Sequence, residues 1–332
     1  MSVSRRRILQ AGAAGAAVLS APAVHAQKAE RIRLSWLPIM QTTALYVALQ
    51  DKLFEKAGLD VEAVQFQNPN QIIDSLVAGQ ADAGAPGAAA GITVLAESRY
   101  PGTFKVFGLQ GGGLRVDRVN DGLIVRNDSP IRGFQDLKGR SLGHLPGIQW
   151  RTISRHMLRV NGLDPDRDVR LQELAVGLQV QAVVSGSVDA TLSLEPVGSV
   201  AEATKEARRA IVNPCARVIA DPFYSGVSVL TTKFLKERPQ AARRLVAVLD
   251  DATRIANAEF DRVRPYLAKY TPIRGDQIRV VAQPYLRAWR DLNDTDLASY
   301  QALVDVFHKE GVLKERVDVR GLMLKPADIA VG

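Results

Sequence analysis

One unit occurs twice in this chain, and it restricts the fold more than any other feature. The first copy runs from Tyr46-Val47-Ala48-Leu49 through Phe54 to Gly58-Leu59-Asp60, then a strand over 61–66, a helix over 71–78 and Gly79-Gln80-Ala81-Asp82-Ala83. The second runs from Thr152 through Val160 to Gly162-Leu163-Asp164, then a strand over 169–174, a helix over 178–184 and Gly186-Ser187-Val188-Asp189-Ala190. Both copies read helix, Gly-Leu-Asp, strand, helix, Gly-x-[Ala/Val]-Asp-Ala, strand. The glycines stand where helices end, and glycine enters the left-handed conformation there without a Cβ clash. Short strands alternating with helices predict parallel βαβ units. Two copies predict two similar lobes, each a doubly wound, mostly parallel sheet in an α/β fold.

Flanking segments extend each lobe. Residues 31–36 read as the opening strand, with a helix starting near Gln41 to Thr43, where threonine can cap exposed amides. A strand over 104–109 ends at Gly111-Gly112-Gly113, which reads as a flexible turn rather than a phosphate loop, because no Lys-Ser/Thr follows. Another strand covers 121–126, followed by the turn Asn127-Asp128-Ser129-Pro130; 141–144 opens the second lobe's core, and 190–194 runs into Glu195-Pro196. After a strand over 226–231 the pattern turns helical, over 241–256 and over 294–310 with Asp294 as a cap, and this tail is expected to pack on the first lobe. The expected division is therefore 27–120 plus 225–332 for lobe 1 and 121–224 for lobe 2, with crossings near Asp121 and Tyr224.

Residues 1–26 read as an export signal. Arg5-Arg6-Arg7 precedes a weakly apolar Ala/Gly run, and Val24 and Ala26 supply the small residues for cleavage before Gln27. Paired arginines point to the twin-arginine route, although Ile8 and Gln10 depart from its usual Phe and Lys. The run is too interrupted to be a membrane span. Its removal takes three of the 43 basic residues, so 40 face 35 acidic ones and the net charge falls from +8 to +5. That charge is spread along the chain, from Arg31 and Lys52 to Arg287 and Lys314, without aromatic interleaving, which argues against a nucleic-acid partner. One cysteine, Cys215, excludes a disulfide framework, and four histidines without ligand spacing argue against a metal site.

Leu34-Ser35-Trp36-Leu37-Pro38, the stretch 53–61, Val77-Ala78-Gly79-Gln80-Ala81-Asp82-Ala83-Gly84, Asp121-Gly122-Leu123-Ile124-Val125 with Ser129-Pro130-Ile131, Asp136-Leu137-Lys138-Gly139, and 185–190 leading to Glu195-Pro196 form a set. Together they resemble the nitrate/sulfonate/taurine and thiamine-pyrimidine family of periplasmic solute-binding proteins. The resemblance covers about residues 31–235. It implies a type 2 periplasmic-binding-protein fold, with a ligand cleft between two lobes that close on a small molecule. It also implies a monomer without cofactors that delivers its cargo to an inner-membrane ABC permease and its ATPase.

Ligands of open parallel sheets sit beyond the carboxyl ends of the strands. Carried over to those positions, the resemblance implies contacts at Trp36, Pro38, Thr42 and Thr43 after the first strand, and at Ala85, Pro86 and Gly87 after the repeat motif. In the second lobe it implies Pro146, Gly147, Ile148, Gln149, Trp150 and Arg151 at a helix start, where amides and the helix dipole suit an anion, followed by Glu195 and Tyr224. Trp36 and Trp150 are equally readable as packing residues, Arg151 as a solvated helix residue and Glu195 as part of a turn. His144 reads as structural and Cys215 as a small buried residue. Leu145-Pro146-Gly147-Ile148 lacks the hydroxyls common in the anion-binding branches, while Trp36-Leu37-Pro38 is similar to the pyrimidine branch. The cargo is thus either a small sulfonate, nitrate or carboxylate anion or a planar heteroaromatic. The family also includes a pyrimidine-forming synthase that uses its own histidine and a cysteine-rich iron site, apparatus this chain lacks. No hydrolase, metalloprotease or P-loop signature occurs.

Overall fold

The computed structural model describes residues 30–330, so the expected export signal lies outside the described residues. Eleven strands form two sheets: β1 (Glu30–Trp36), β2 (Leu59–Gln65), β3 (Ala83–Ala89), β4 (Phe104–Gly112), β5 (Asp121–Arg126), β6 (Arg140–His144), β7 (Val169–Glu173), β8 (Ala190–Leu194), β9 (Ala207–Val212), β10 (Phe223–Thr231) and β11 (Tyr285–Arg287). The first sheet has the order β11-β4-β10-β3-β1-β2 and the second β7-β6-β8-β5-β9.

Strand direction follows from where the chain crosses. β1, β2 and β3 are mutually parallel, and β4 shares their direction because both β3 and β4 are antiparallel to β10. In the second sheet β6, β7, β8 and β9 run one way and β5 the other. The reversed strands are β5, β10 and the short β11, and β5 and β10 are the first strands after each crossing. The chain leaves either sheet at the carboxyl ends of its parallel strands and enters the other at the same face, so the entering strand must run backwards. The sheets are therefore mostly parallel in direction and mixed in pairing.

The repeat closes each sheet in the same way. Gly79 and Gly186 take φ of +69° and +77° at the helix ends. Three residues on, Asp82 Oδ2 accepts the Arg33 amide at 2.8 Å, and Asp189 Oδ2 accepts the Ser141 amide at 2.8 Å. Each aspartate thus ties the end of the βαβ unit back to that unit's first sheet neighbour, β1 or β6.

Three expectations change. Gly111 and Gly112 are the last residues of β4 rather than a flexible turn, because they lie against β10 so closely that a Cβ on Gly111 would collide with the Phe223 carbonyl. The final long helix, Asp294–Lys309, is capped by Asn293, whose side chain accepts the Thr295 and Asp296 amides, so Asp294 is the first helical residue. That helix packs on β10 and on Ala90–Arg99 of the first lobe, where Tyr300 donates to the Ala90 carbonyl at 3.0 Å. It also reaches the second lobe, where His156 Nδ1 lies 3.1 Å from Glu310 Oε1. The tail therefore rests on both lobes.

Candidate functional site

The segments that follow β1, β3, β6 and β8 meet across the lobes, Met40 with Glu195 and Gly91 with Gln149. After β1 the chain passes Leu37-Pro38-Ile39 into a short 3-10 turn, Met40–Thr42, and the helix Thr43–Gln50. Thr42 and Thr43 turn their hydroxyls onto the carbonyls of Leu37 and Met40, at 2.9 and 2.5 Å, so neither offers a free donor. The Met40 amide reaches across to the Glu195 carbonyl at 3.3 Å.

Ala85, Pro86 and Gly87 sit inside β3 rather than beyond it. β10 pairs with Ala83, Gly84, Ala88 and Ala89 and skips the three residues between, with a register shift at Val227/Val229. The proline and the glycine, with φ +94°, form a bulge that the buried strand absorbs. The Gly87 amide donates to Gln110 Oε1 at 2.9 Å, and a Cβ on Gly87 would press on Gln41 and Thr42. The strand-to-helix junction lies further on, at Ala89-Ala90-Gly91, where the helix Ala90–Arg99 starts without a side-chain cap.

Its opposite number is the helix Ile148–Val160, which follows Gly147 at φ +99° and also lacks a side-chain cap. The two amino ends meet, and a side chain of one caps the other. Gln149 Oε1 accepts the Gly91 amide at 2.7 Å and Gln149 Nε2 donates to the Ser225 carbonyl at 2.9 Å. Beside them Asn70 lies so close to Gly147 that a Cβ there would be 2.7 Å from Asn70 Oδ1, a buried atom without a hydrogen-bond partner. Gln41 Nε2 donates to Asn120 Oδ1 at 2.6 Å and to Ser225 Oγ at 2.8 Å. The seam between the lobes is built of buried carboxamides and backbone amides, with one carboxylate at its edge, Glu173, whose Oε1 accepts the Gly147 amide at 3.2 Å.

The remaining candidates have other partners. Trp36 packs edge-on to Tyr46 and Tyr270, with ring centroids 5.7 and 6.0 Å away, in the aromatic core beneath β1. Trp150 is 1% exposed and belongs to the cluster around Ile153 and Met157. Ile148 is half-buried, whereas Arg151 faces solvent. Glu195 is buried against Arg209 at 2.6 Å and accepts the Ser199 hydroxyl at 2.6 Å, so its carboxylate is engaged within lobe 2. Tyr224 lies in β10, and its hydroxyl donates to Asp296 Oδ1 at 2.5 Å. Gln41, Asn70, Gln110, Asn120 and Ser225 escaped the sequence reading. Gln41 alone carried a signal, its place a few residues past the end of β1.

Neither of the groups that could suggest covalent chemistry is poised for it. Burial, then the neighbouring Asp121, pushes the Cys215 thiol well above its ordinary pKa, the reverse of what a nucleophilic thiolate needs. Burial holds the His144 pKa below its usual value and outweighs the Leu145 carbonyl, to which Nδ1 donates at 2.7 Å. Among the described residues no group of His, Cys, Asp or Glu is placed to hold a metal ion, and no helix is long and apolar enough to cross a membrane.

Two mixed α/β sheets joined at a buried seam of amides define a two-lobed α/β fold. The family described as NMT1/THI5 like matches residues 39–261, and the chain belongs to that family. Among its relatives, a putative aliphatic sulfonates-binding protein of Bacillus subtilis is 25% identical over 81% of this chain and 78% of its own length. A 4-amino-5-hydroxymethyl-2-methylpyrimidine phosphate synthase of Saccharomyces cerevisiae, THI13, is 22% identical over 66% of this chain and 64% of its own length. Of solved structures, the alkanesulfonate-binding protein SsuA from Xanthomonas axonopodis pv. citri, bound to MOPS, superposes with TM-score 0.71 at 18% identity, covering 89% of this chain and 98% of that one. The periplasmic nitrate-binding protein NrtA from Synechocystis PCC 6803 gives TM-score 0.71 at 13% identity, covering 89% and 85%.

Proposed function

We propose that this chain is the exported solute-binding component of an ABC importer, and that it captures a small sulfonate, nitrate or carboxylate anion by closing its lobes. The observation that carries this reading is the meeting, at one buried point, Gly91 and Gln149, of two helix amino ends from opposite lobes that their own preceding residues do not cap. Each end carries about half a positive charge and several amides without helical partners, so an anion between them is stabilised by both. Binding needs no buried cation there. The two tryptophans that could have stacked on a heteroaromatic ring are packed in the core, which favours an anion over a pyrimidine. Its partners are the inner-membrane permease and ATPase that receive the cargo from the monomeric binding protein in the periplasm, and the relatives named as binding proteins support that role.

Thermal unfolding against nitrate, butanesulfonate, benzoate and 4-amino-5-hydroxymethyl-2-methylpyrimidine tests the proposal. At a hundred times its Kd the cargo stabilises the fold by about 2.7 kcal/mol and raises the midpoint by a few degrees. A saturable shift with one of the anions is expected. A shift with the pyrimidine alone overturns the anion assignment, and turnover of any of these compounds overturns the non-catalytic role.

A further inference from the structure

Gln149 belongs to lobe 2 by sequence and to lobe 1 by its bonds. It is the second residue of the helix Ile148–Val160, yet its carboxamide oxygen takes the Gly91 amide at 2.7 Å and its nitrogen donates to the Ser225 carbonyl at 2.9 Å. The side chain is 2% exposed, so the carboxamide has been removed from water and its cost is met by these two bonds. Neighbouring contacts seal the same seam, with Asn70 against Gly147 on one side and the Met40 amide on the Glu195 carbonyl on the other. Position 91 has no side chain to shield its amide, and the Phe307 ring fills the space a Cβ would need.

An amide N–H carries one hydrogen. If the Gly91 amide belongs to the anion site, a ligand oxygen and Gln149 Oε1 compete for it. We propose that Gln149 is a built-in strap that draws the lobes together by standing where one ligand oxygen sits, and that binding exchanges the glutamine oxygen for the ligand's. This rests on the anion reading above. The exchange also sets specificity. An ionised oxygen makes a hydrogen bond roughly twice as strong as a neutral carboxamide and displaces it, whereas a neutral ring nitrogen gains little by doing so. A strap that holds a closed population without cargo lowers apparent affinity by the fraction of molecules it occupies.

The test compares the full protein with Gln149→Met, which keeps length and volume and removes both bonds. Gln149→Ala repeats the comparison should methionine not pack. By small-angle scattering without added anion, the variant is expected to show a larger radius of gyration than the parent. By calorimetry it is expected to bind butanesulfonate about five- to tenfold more tightly. Equal radii overturn the proposal, and so does unchanged or weaker butanesulfonate binding by the variant, since the latter means that Gln149 holds the ligand instead of competing with it. If neither protein binds butanesulfonate, nitrate or benzoate, the anion reading fails by itself, and the radii alone decide whether Gln149 straps the lobes.

Discussion

The two lobes carry the same repeat and complete it from different distances. In lobe 2 Asp189 is satisfied locally, by the Ser141 amide and hydroxyl at 2.8 and 2.7 Å and by Arg140 at 3.5 Å, with Ser141 48 positions away. In lobe 1 Asp82 takes the Arg33 amide and then an ion pair with Arg238, 156 positions away, whose other nitrogen donates to the Arg31 carbonyl at 2.6 Å. The second sheet is one continuous stretch, from β5 to β9, whereas the first needs the chain to return with β10 and β11. Closing the longer loop costs about 1 kcal/mol more in chain entropy, so lobe 1 is the lobe whose assembly depends on distant contacts. A local motif specifies the clamp, and chain connectivity decides who completes it.

The largest effect tests the seam where β4 meets the returning β10. Gly111→Ala drives a Cβ into the Phe223 carbonyl and is expected to cost about 3 kcal/mol or more, read as a lowered urea midpoint. A loss below 1 kcal/mol would mean that β10 can shift and that the return strand is not rigidly placed.

The clamps themselves come next. Asp82→Ala removes the Arg33 partner and frees Arg238, at a cost of about 2–3 kcal/mol, while Asp189→Ala, at a more exposed site that water can reach, costs about 1 kcal/mol. Equal losses in urea unfolding would sink the claim that the distant arginine matters.

A pH effect separates the lobes further. The clamps align Arg33 with Ser141, and hence Trp36 at the end of β1 with His144 at the end of β6. His144 is 1% exposed, and burial holds its pKa below the ordinary 6.5. The unfolded chain therefore binds that proton more readily. The stability His144 contributes is fully present above pH 6.5 and is lost as pH falls from there toward its folded pKa. His144→Gln should lessen the drop in stability between pH 7.5 and 5.5, and an unchanged drop would assign it to other groups, His156 among them.

The smallest effect is at Arg151. Facing solvent, Arg151→Gln should change stability by less than about 0.5 kcal/mol and anion affinity by less than about twofold at physiological salt. A tenfold loss of affinity would show that the arginine folds over the cleft when cargo binds.

Much of the fold was legible because its signals are local. Gly79 and Gly186 end helices for a steric reason that needs no neighbour, and the alternation of strands with helices leaves few topologies. The candidate site was legible only in outline. Gly147, Gln149 and the amino end of their helix were in view, but the lobe 1 junction was read at Ala85 to Gly87, four residues early, because a proline and a glycine inside a buried bulge look like a turn. Gly111 and Gly112 misled in the same way, since glycine marks both a flexible turn and a close backbone approach, and only the neighbouring β10 distinguishes them.

By itself the sequence determined two similar α/β lobes and the glycine-ended helices and short strands of the repeat in each, consequences of steric and hydrogen-bonding preferences within a few tens of residues. The tertiary structure alone decided that Trp36 and Trp150 pack in the core, that Glu195 is engaged by Arg209, that Gln41 ties Asn120 to Ser225 where the chain crosses, and that Gln149 bridges the lobes. A carboxamide carries no charge and follows no apolar periodicity, so whether it is solvated or spans a buried seam depends on which amide the fold brings within 3 Å of it.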